Sequence, residues 1–220
     1  PGWFDSSVCF GEPGLEERET LSNGSKAAAF SGFTDVVLNP ETSPYLDTKA
    51  DIIYVKSQKL PVNIHPLGCL TKEAKSKELA DLYEMYESGA VGFYDFKKPL
   101  LNPNLLKIAL QYVQNFDGLI LSFPFEKSLC PDGQMHEGTV STNYGLKGIS
   151  SLSEELMLKR DLKILEYTGG KIHIPCISTE ESVKLIKEAK NNKLNVSCSV
   201  SINNLFFNDE KLKDFDTRFK

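Results

Sequence analysis

Residues able to do chemistry cluster where apolar, strand-like runs give way to turns. In "PGWFDSSVCFGEPGLEERET" the run Trp3–Phe10 carries Asp5, Ser7 and Cys9 at spacing two. On a strand that spacing puts a carboxylate, a hydroxyl and a thiol on one face. Further along, Asp95 sits in "GFYDFKKP" and Cys176 ends "HIPC". The three histidines are His65, His136 and His173. Strand alternation turns His173 away from Cys176, three residues on, so it reads as a packed, hydrogen-bonded structural residue. His65 ends a strand-like run, and one imidazole alone makes no metal site.

The elements that must position these groups alternate between strand and helix. Strand-like runs are Trp3–Phe10, Phe33–Leu38, Leu60–His65, Val91–Tyr94, Gly118–Phe123, Ile172–Ile177 and Asn195–Val200. Between them, Leu79, Leu82, Tyr83 and Tyr86 form a helical stripe ending at Gly89, a natural residue just past a helix C-terminus. Asn102-Pro103 caps a helix expected to bury Leu105, Ala109, Tyr112, Val113 and Phe116. Ser178 with Glu181 reads as a capping box for the helix carrying Val183, Ile186 and Ala189. Glu12-Pro13-Gly14 is turn chemistry, and "TKEAKSKE" reads as a solvated helix face. Strands separated by helices pair in parallel, so the chain is α/β. With no nucleotide-binding glycine motif after any strand, a closed barrel is favoured over a doubly wound sheet. The connection from Pro124 to about Ser150 is unusually long, and is expected to serve as a lid, a subunit contact or a plain surface loop.

The 220 residues suffice for a single domain spanning 1–220, with 40% hydrophobic and 25% charged residues. A net charge of −5 argues against a nucleic-acid surface, which needs clustered Lys and Arg. No apolar run is long enough to span a membrane. The five cysteines show no C-x-x-C pairing and read as free thiols in a reducing cytoplasm. The opening directly on a core-like strand, with no secretory signal, suggests a trimmed chain.

Three segments carry a resemblance: "PGWFDSSVCFGEPGLEERET", "GSKAAAFSGFTDVVLNPETSP" and "MHEGTVSTNYGLKGISSLSEELMLKRDLKILEYTGGKIHIPCIST". They resemble dihydroorotase, the amidohydrolase-superfamily enzyme that closes and opens the dihydroorotate ring in pyrimidine synthesis. The resemblance implies a TIM-type (β/α)8 barrel, here incomplete, with about seven βα units and the last strand lacking. It also implies one or two zinc ions at the strand ends, activating water and polarising the cyclic amide.

Position by position, the resemblance implies a site that has been replaced. Ser7 and Cys9 stand where the family has His-x-His, and Phe123 and Cys176 stand at two further metal-binding histidines. Gly11 replaces an Arg that grips the substrate carboxylate. Glu41 replaces a substrate-contacting Asn, and Asn204 falls in the segment "INN" that replaces Pro-His-His. His136 stands where the family has Asn. The resemblance implies a family carboxylate at Asp95, matching one or other member of the Asp-Asp pair of the zinc-dependent branch. No cofactor is therefore expected, although the family uses zinc, and the chain is expected to be inactive. A scaffold role follows, as a homo-oligomer or with an aspartate transcarbamoylase-like partner, since non-catalytic members of the family act so. The alternative is an active cyclic-amide hydrolase using Cys9, Cys176 and Asp95 around one metal. A metal-free pocket holding a pyrimidine-like ligand is a third reading. Lacking its last strand, such a barrel is expected to stay open or to pair between copies.

Overall fold

The computed structural model describes residues 1–212. It divides into two compact units, one of residues 1–121 and one beginning at Ser122.

The first unit runs β1 (Trp3–Val8), α1 (Leu21–Phe30), β2 (Phe33–Leu38), α2 (Lys49–Ser57), β3 (Asn63–Pro66), α3 (Leu82–Glu87), α4 (Pro103–Val113) and β4 (Ile120–Leu121). β1, β2 and β3 pair in parallel in that order. Single parallel bridges, Gly68 to Phe93 and Phe93 to Ile120, carry the sheet on to β4. The expected strand Val91–Tyr94 thus contributes one bridged residue. β2 turns apolar toward its end, with Val36, Val37 and Leu38 buried, as expected where helices cover a parallel sheet. The expected run Leu60–His65 begins pairing only at Asn63.

Helix ends follow local chemistry. Thr20 accepts from the Asn23 backbone N–H, and Asn102 from that of Asn104. Each such cap contributes about 1 kcal/mol. Gly89, just past α3, has φ +104. α4 buries Leu106, Ala109, Leu110 and Val113, a stripe rotated from the expected one. Tyr112 is exposed and packs on Phe116 at 5.7 Å, alongside Tyr83 at 5.5 Å and Tyr86 at 4.8 Å. The "TKEAKSKE" segment is no helix face. A 3-10 turn at Lys72–Ala74 and an antiparallel bridge from Thr71 to Leu79 fold it into a loop, with Glu73, Ala74 and Ser76 left-handed.

The second unit runs β5 (Met135–His136), α5 (Thr139–Tyr144), β6 (Gly148–Ile149), α6 (Leu152–Thr168), β7 (Ile172–Ile174), α7 (Glu180–Asn191), β8 (Val196–Cys198) and α8 (Ile202–Phe206). The long connection after Pro124 therefore has structure of its own: β5 and β6 pair in parallel, with α5 between them. β7 and β8 also pair in parallel. α7 is capped by Thr179, which accepts from the Ser182 N–H, one residue beyond the expected Ser178. Val183 is exposed, while Ser182, Ile186 and Ala189 are buried. Buried Asp161 on α6 accepts from the Ser122 hydroxyl at 2.5 Å and pairs with Arg160 at 2.7 Å. Burial pushes its carboxyl up, against the opposing pull of Arg160. Among the described residues, no helix is long and apolar enough to cross a membrane.

Candidate functional site

β1 ends at Val8, short of Cys9, and its register slips against β2 between Asp5 and Val8. Such a bulge breaks the simple two-residue alternation, yet Ser7 and Cys9 still meet one partner. That partner is Asn39, buried just beyond β2. Its side-chain Nδ2 donates to Ser7 Oγ at 2.9 Å and to the Val8 carbonyl at 3.1 Å, and reaches Cys9 Sγ at 3.6 Å. Cys9 is exposed as a residue, but its sulfur is packed closely enough that burial pushes the thiol up. The Asn39 hydrogen bond works against that rise, while Glu41 adds to it.

Gly11 occupies a closed turn: a Cβ there would stand 2.0 Å from the Leu15 carbonyl oxygen. Leu15 N–H also donates to the Gly11 carbonyl at 2.9 Å. Glu41 faces Arg18 at 3.8 Å, an exposed pair of small energetic weight. The next turn is pinned by Gly14, whose φ of +88 and approach to the Ser43 carbonyl leave no room for a Cβ. Glu12 accepts from the Leu21 N–H at 2.8 Å and from the Tyr54 hydroxyl at 2.6 Å.

Asp95 is buried, and its carboxylate is engaged on both oxygens. Oδ1 accepts from the backbone N–H groups of Leu70 and Thr71, each at 2.9 Å, and Oδ2 accepts from the Thr71 hydroxyl at 2.5 Å. Burial raises its pKa, with the Thr71 and Leu70 hydrogen bonds and the Lys98 charge opposing. Asp95 therefore braces the root of the Lys72–Ser76 loop. His65 pairs with Asp35 at 2.9 Å, where Asn63 also donates to Asp35.

In the second unit, Phe123, Cys176 and Asn204 come together, with His136, around a cavity of about 310 Å3. Phe123 and Phe125 face each other there with ring centroids 5.9 Å apart. Glu154 at the cavity edge accepts from Ser178 Oγ at 2.6 Å and from the Ser178 and Thr179 backbone N–H groups at 3.0 and 3.2 Å. β7 stops at Ile174, so Cys176 lies in a turn, with φ +56. Strand alternation therefore does not govern its relation to His173. Both touch Ser199: His173 Nε2 at 3.2 Å, and the Cys176 N–H at 3.4 Å. His173 Nδ1 meets Ser197 Oγ at 2.8 Å, and burial lowers the imidazole's pKa.

Within each unit, the described residues do not gather the ligands of a zinc centre. Zinc takes three or four deprotonated donors. Here the Ser7 hydroxyl and Cys9 thiol are drawn onto an amide donor, the Asp95 oxygens onto N–H and O–H groups, and Phe123 offers no donor. Among the described residues, no group of three or more His, Cys, Asp or Glu could hold a metal ion. Sequence reasoning missed Asn39, Thr71, Glu154 and Phe125. Only Asn39 left a trace, as an amide closing the apolar run "VVLN".

Parallel βα units with these groups at their strand ends define an amidohydrolase-type (β/α)8 barrel, of which this chain holds a part. The L-hydantoinase (dihydropyrimidinase) from Arthrobacter aurescens shares the fold at a TM-score of 0.79 and 19% identity, over 100% of this chain and 51% of that one. The D-hydantoinase from Bacillus sp. AR9 does so at 0.65 and 16%, over 94% and 48%. A family model described as dihydro-orotase-like matches residues 1–182, and the chain belongs to that family. Proteins named dihydroorotase from Pelotomaculum thermopropionicum and Geobacter sp. strain M21 are 42% and 38% identical to it. Each alignment covers 100% of this chain and 52% of the relative. The chain thus spans about half the length of the curated relatives it matches.

Proposed function

We propose that this is a dihydroorotase-like protein of pyrimidine biosynthesis whose strand ends neither hold zinc nor open a ring. It serves instead as a scaffold, as a homo-oligomer or beside an aspartate transcarbamoylase-like enzyme. The observation that carries this reading is the engagement of the surviving carboxylate. Three protein donors converge on Asp95, so binding a metal or moving a substrate proton would mean dismantling the loop it braces. The amide of Asn39, spanning Ser7 and Cys9, supports it in the same sense.

Elemental mass spectrometry of the purified, untagged protein after dialysis against trace zinc is the primary test, paired with a dihydroorotate turnover assay. The expected result is far less than stoichiometric zinc and no turnover. Stoichiometric zinc, with turnover abolished by Asp95→Asn, would replace the scaffold with a hydrolase built on Cys9, Cys176 and Asp95. Purification from the source cell with no pathway enzyme attached, and no self-association, would remove the partner claim.

A further inference from the structure

α3, α4 and the turn after α4 bring four aromatic rings together on one face of the first unit. Phe116 is the centre, with Tyr83, Tyr86 and Tyr112 around it at 5.5, 4.8 and 5.7 Å. Phe93, fully buried, meets the same ring edge-to-face at 6.3 Å. The cluster is therefore seated on the core, and its rings are fixed before anything binds. The three tyrosines are 48%, 37% and 43% exposed, and Ile108, one turn before Tyr112 on α4, is 41% exposed. Single exposed apolar side chains are ordinary, but a contiguous patch of them marks a contact surface. Tyrosine is enriched where proteins meet, because it supplies a large ring at small entropic cost.

Charge indicates what covers this patch. Asp81, the N-cap of α3, is followed at three-residue steps by Glu84 and Glu87, all exposed, a spacing that makes them neighbours along the helix surface. α3 itself holds no lysine or arginine. Lys56 of α2 approaches Gly89 but turns its ammonium to the Ile64 carbonyl at 3.5 Å. Lys107, the one cation of α4, is five positions from Tyr112 and so falls on the other flank of that helix. A two-fold pairing through the patch would put two such acidic flanks into one interface, and like charges there oppose association. A cationic partner fits instead, since arginine or lysine meets a tyrosine face by cation–π attraction and a carboxylate by an ion pair. We propose that the aromatic face of α3 and α4 docks a different protein, through a segment that sets arginine or lysine beside apolar side chains. The proposal rests on the scaffold reading for there being a partner, and it narrows that partner to a basic, apolar surface.

The test is photo-cross-linking in the source cell, using the full chain with p-benzoylphenylalanine in place of Tyr83 and mapping the adduct by peptide mass spectrometry. The expected result is an adduct with one other protein, in a peptide carrying arginine or lysine next to apolar residues. The same probe at Lys26, exposed on α1, should give no such adduct. Reversing the flank with Glu84→Lys and Glu87→Lys should lower the yield about tenfold, and Glu84→Gln with Glu87→Gln should lower it less. Both pairs of changes lie at exposed positions, and circular dichroism checks that the variants fold. No adduct, an adduct with a second copy or within the same chain, a cross-linked peptide without a cation, or a yield unchanged by charge reversal would each overturn the proposal. The two readings fail separately. Stoichiometric zinc with turnover ends the scaffold reading whatever the cross-link shows, whereas a failed cross-link with a pathway enzyme still co-purifying ends only this proposal.

Discussion

The strand ends of the first unit and those of the second are furnished in different ways. In the first, Ser7, Cys9 and Asp95 are drawn into hydrogen bonds with Asn39, Leu70 and Thr71 and act as structural polar contacts. In the second, Phe123, Cys176 and Asn204 line a cavity whose wall is aromatic. The contrast follows from what each neighbourhood could supply. Where backbone N–H groups and a buried amide were at hand, polar substitutes could be satisfied, which burial demands. Where the neighbours are Pro124, Phe125 and Ile149, an apolar ring packs without an unpaired polar group.

The sharpest way to break this contrast is at Asp95. Asp95→Ala leaves two buried N–H donors and a hydroxyl without their acceptor, and should cost about 3–5 kcal/mol in urea unfolding. Asp95→Asn keeps one acceptor oxygen and should cost about 1–2 kcal/mol. Were Asp95 poised for chemistry, these changes would leave stability nearly intact or improve it. Gly11→Arg, which would restore the family's cation, should fail to do so. Its Cβ meets the Leu15 carbonyl at 2.0 Å, and the overlap should lower stability by about 2–3 kcal/mol. A folded, fully stable Gly11→Arg protein would show that the turn is looser than described.

Asn39→Ala should cost about 1–2 kcal/mol. It should also move the pH dependence of iodoacetamide labelling at Cys9 to higher pH, read by peptide mass spectrometry, because the amide is what holds that thiol down against its burial. The pH dependence of stability gives the smallest signals, and the two units should differ in sign. Burial raises the folded-state pKa of Asp95, so the native state binds the proton more tightly than the unfolded chain. Its contribution is fullest below the ordinary carboxylate value and is lost as pH rises through the raised one. His173 has a lowered pKa, so its contribution is present above the ordinary imidazole value and is lost as pH falls below it. Stability profiles of Asp95→Asn and His173→Gln should flatten in those separate windows. A wild-type profile unchanged by either substitution would count against both assignments.

The succession of strands was legible because each apolar run is bounded by a helix signal, and all seven positions hold a strand or a bridge. Boundaries were less so. Val91–Tyr94 reads as a strand from its apolar residues, and its backbone bonds to Pro66 and Gly68 on one side and to Leu119 and Leu121 on the other, although bridges form only at Phe93. "TKEAKSKE" has helical composition, and tertiary bonds from Asp95 and the Thr71–Leu79 bridge override it. Val183 and Tyr112 lie at helical spacing yet face outward, because the covered stripes run through Ser182, Ile186 and Ala189 and through Leu106, Ala109, Leu110 and Val113. At the site, the family pattern directed attention to Ser7, Cys9, Phe123, Cys176 and Asn204. What holds them could not be read there: Asn39, Thr71 and Glu154 act through contacts between residues 24 to 32 positions apart, which no local spacing encodes.

Glu12 has a consequence for how such chains are recognised. Its two oxygens tie the first turn to the start of α1 and to Tyr54 on α2, while Gly14 lets the turn pass beneath Ser43. The Glu-Pro-Gly signature is thus a mechanical fastening, whatever chemistry stands beside it. A pattern search keyed to that turn registers the fastening and not the chemistry of the strand ends. For this architecture the diagnostic weight belongs on positions with no second employment: those at which a ligand's departure leaves the hinge untouched.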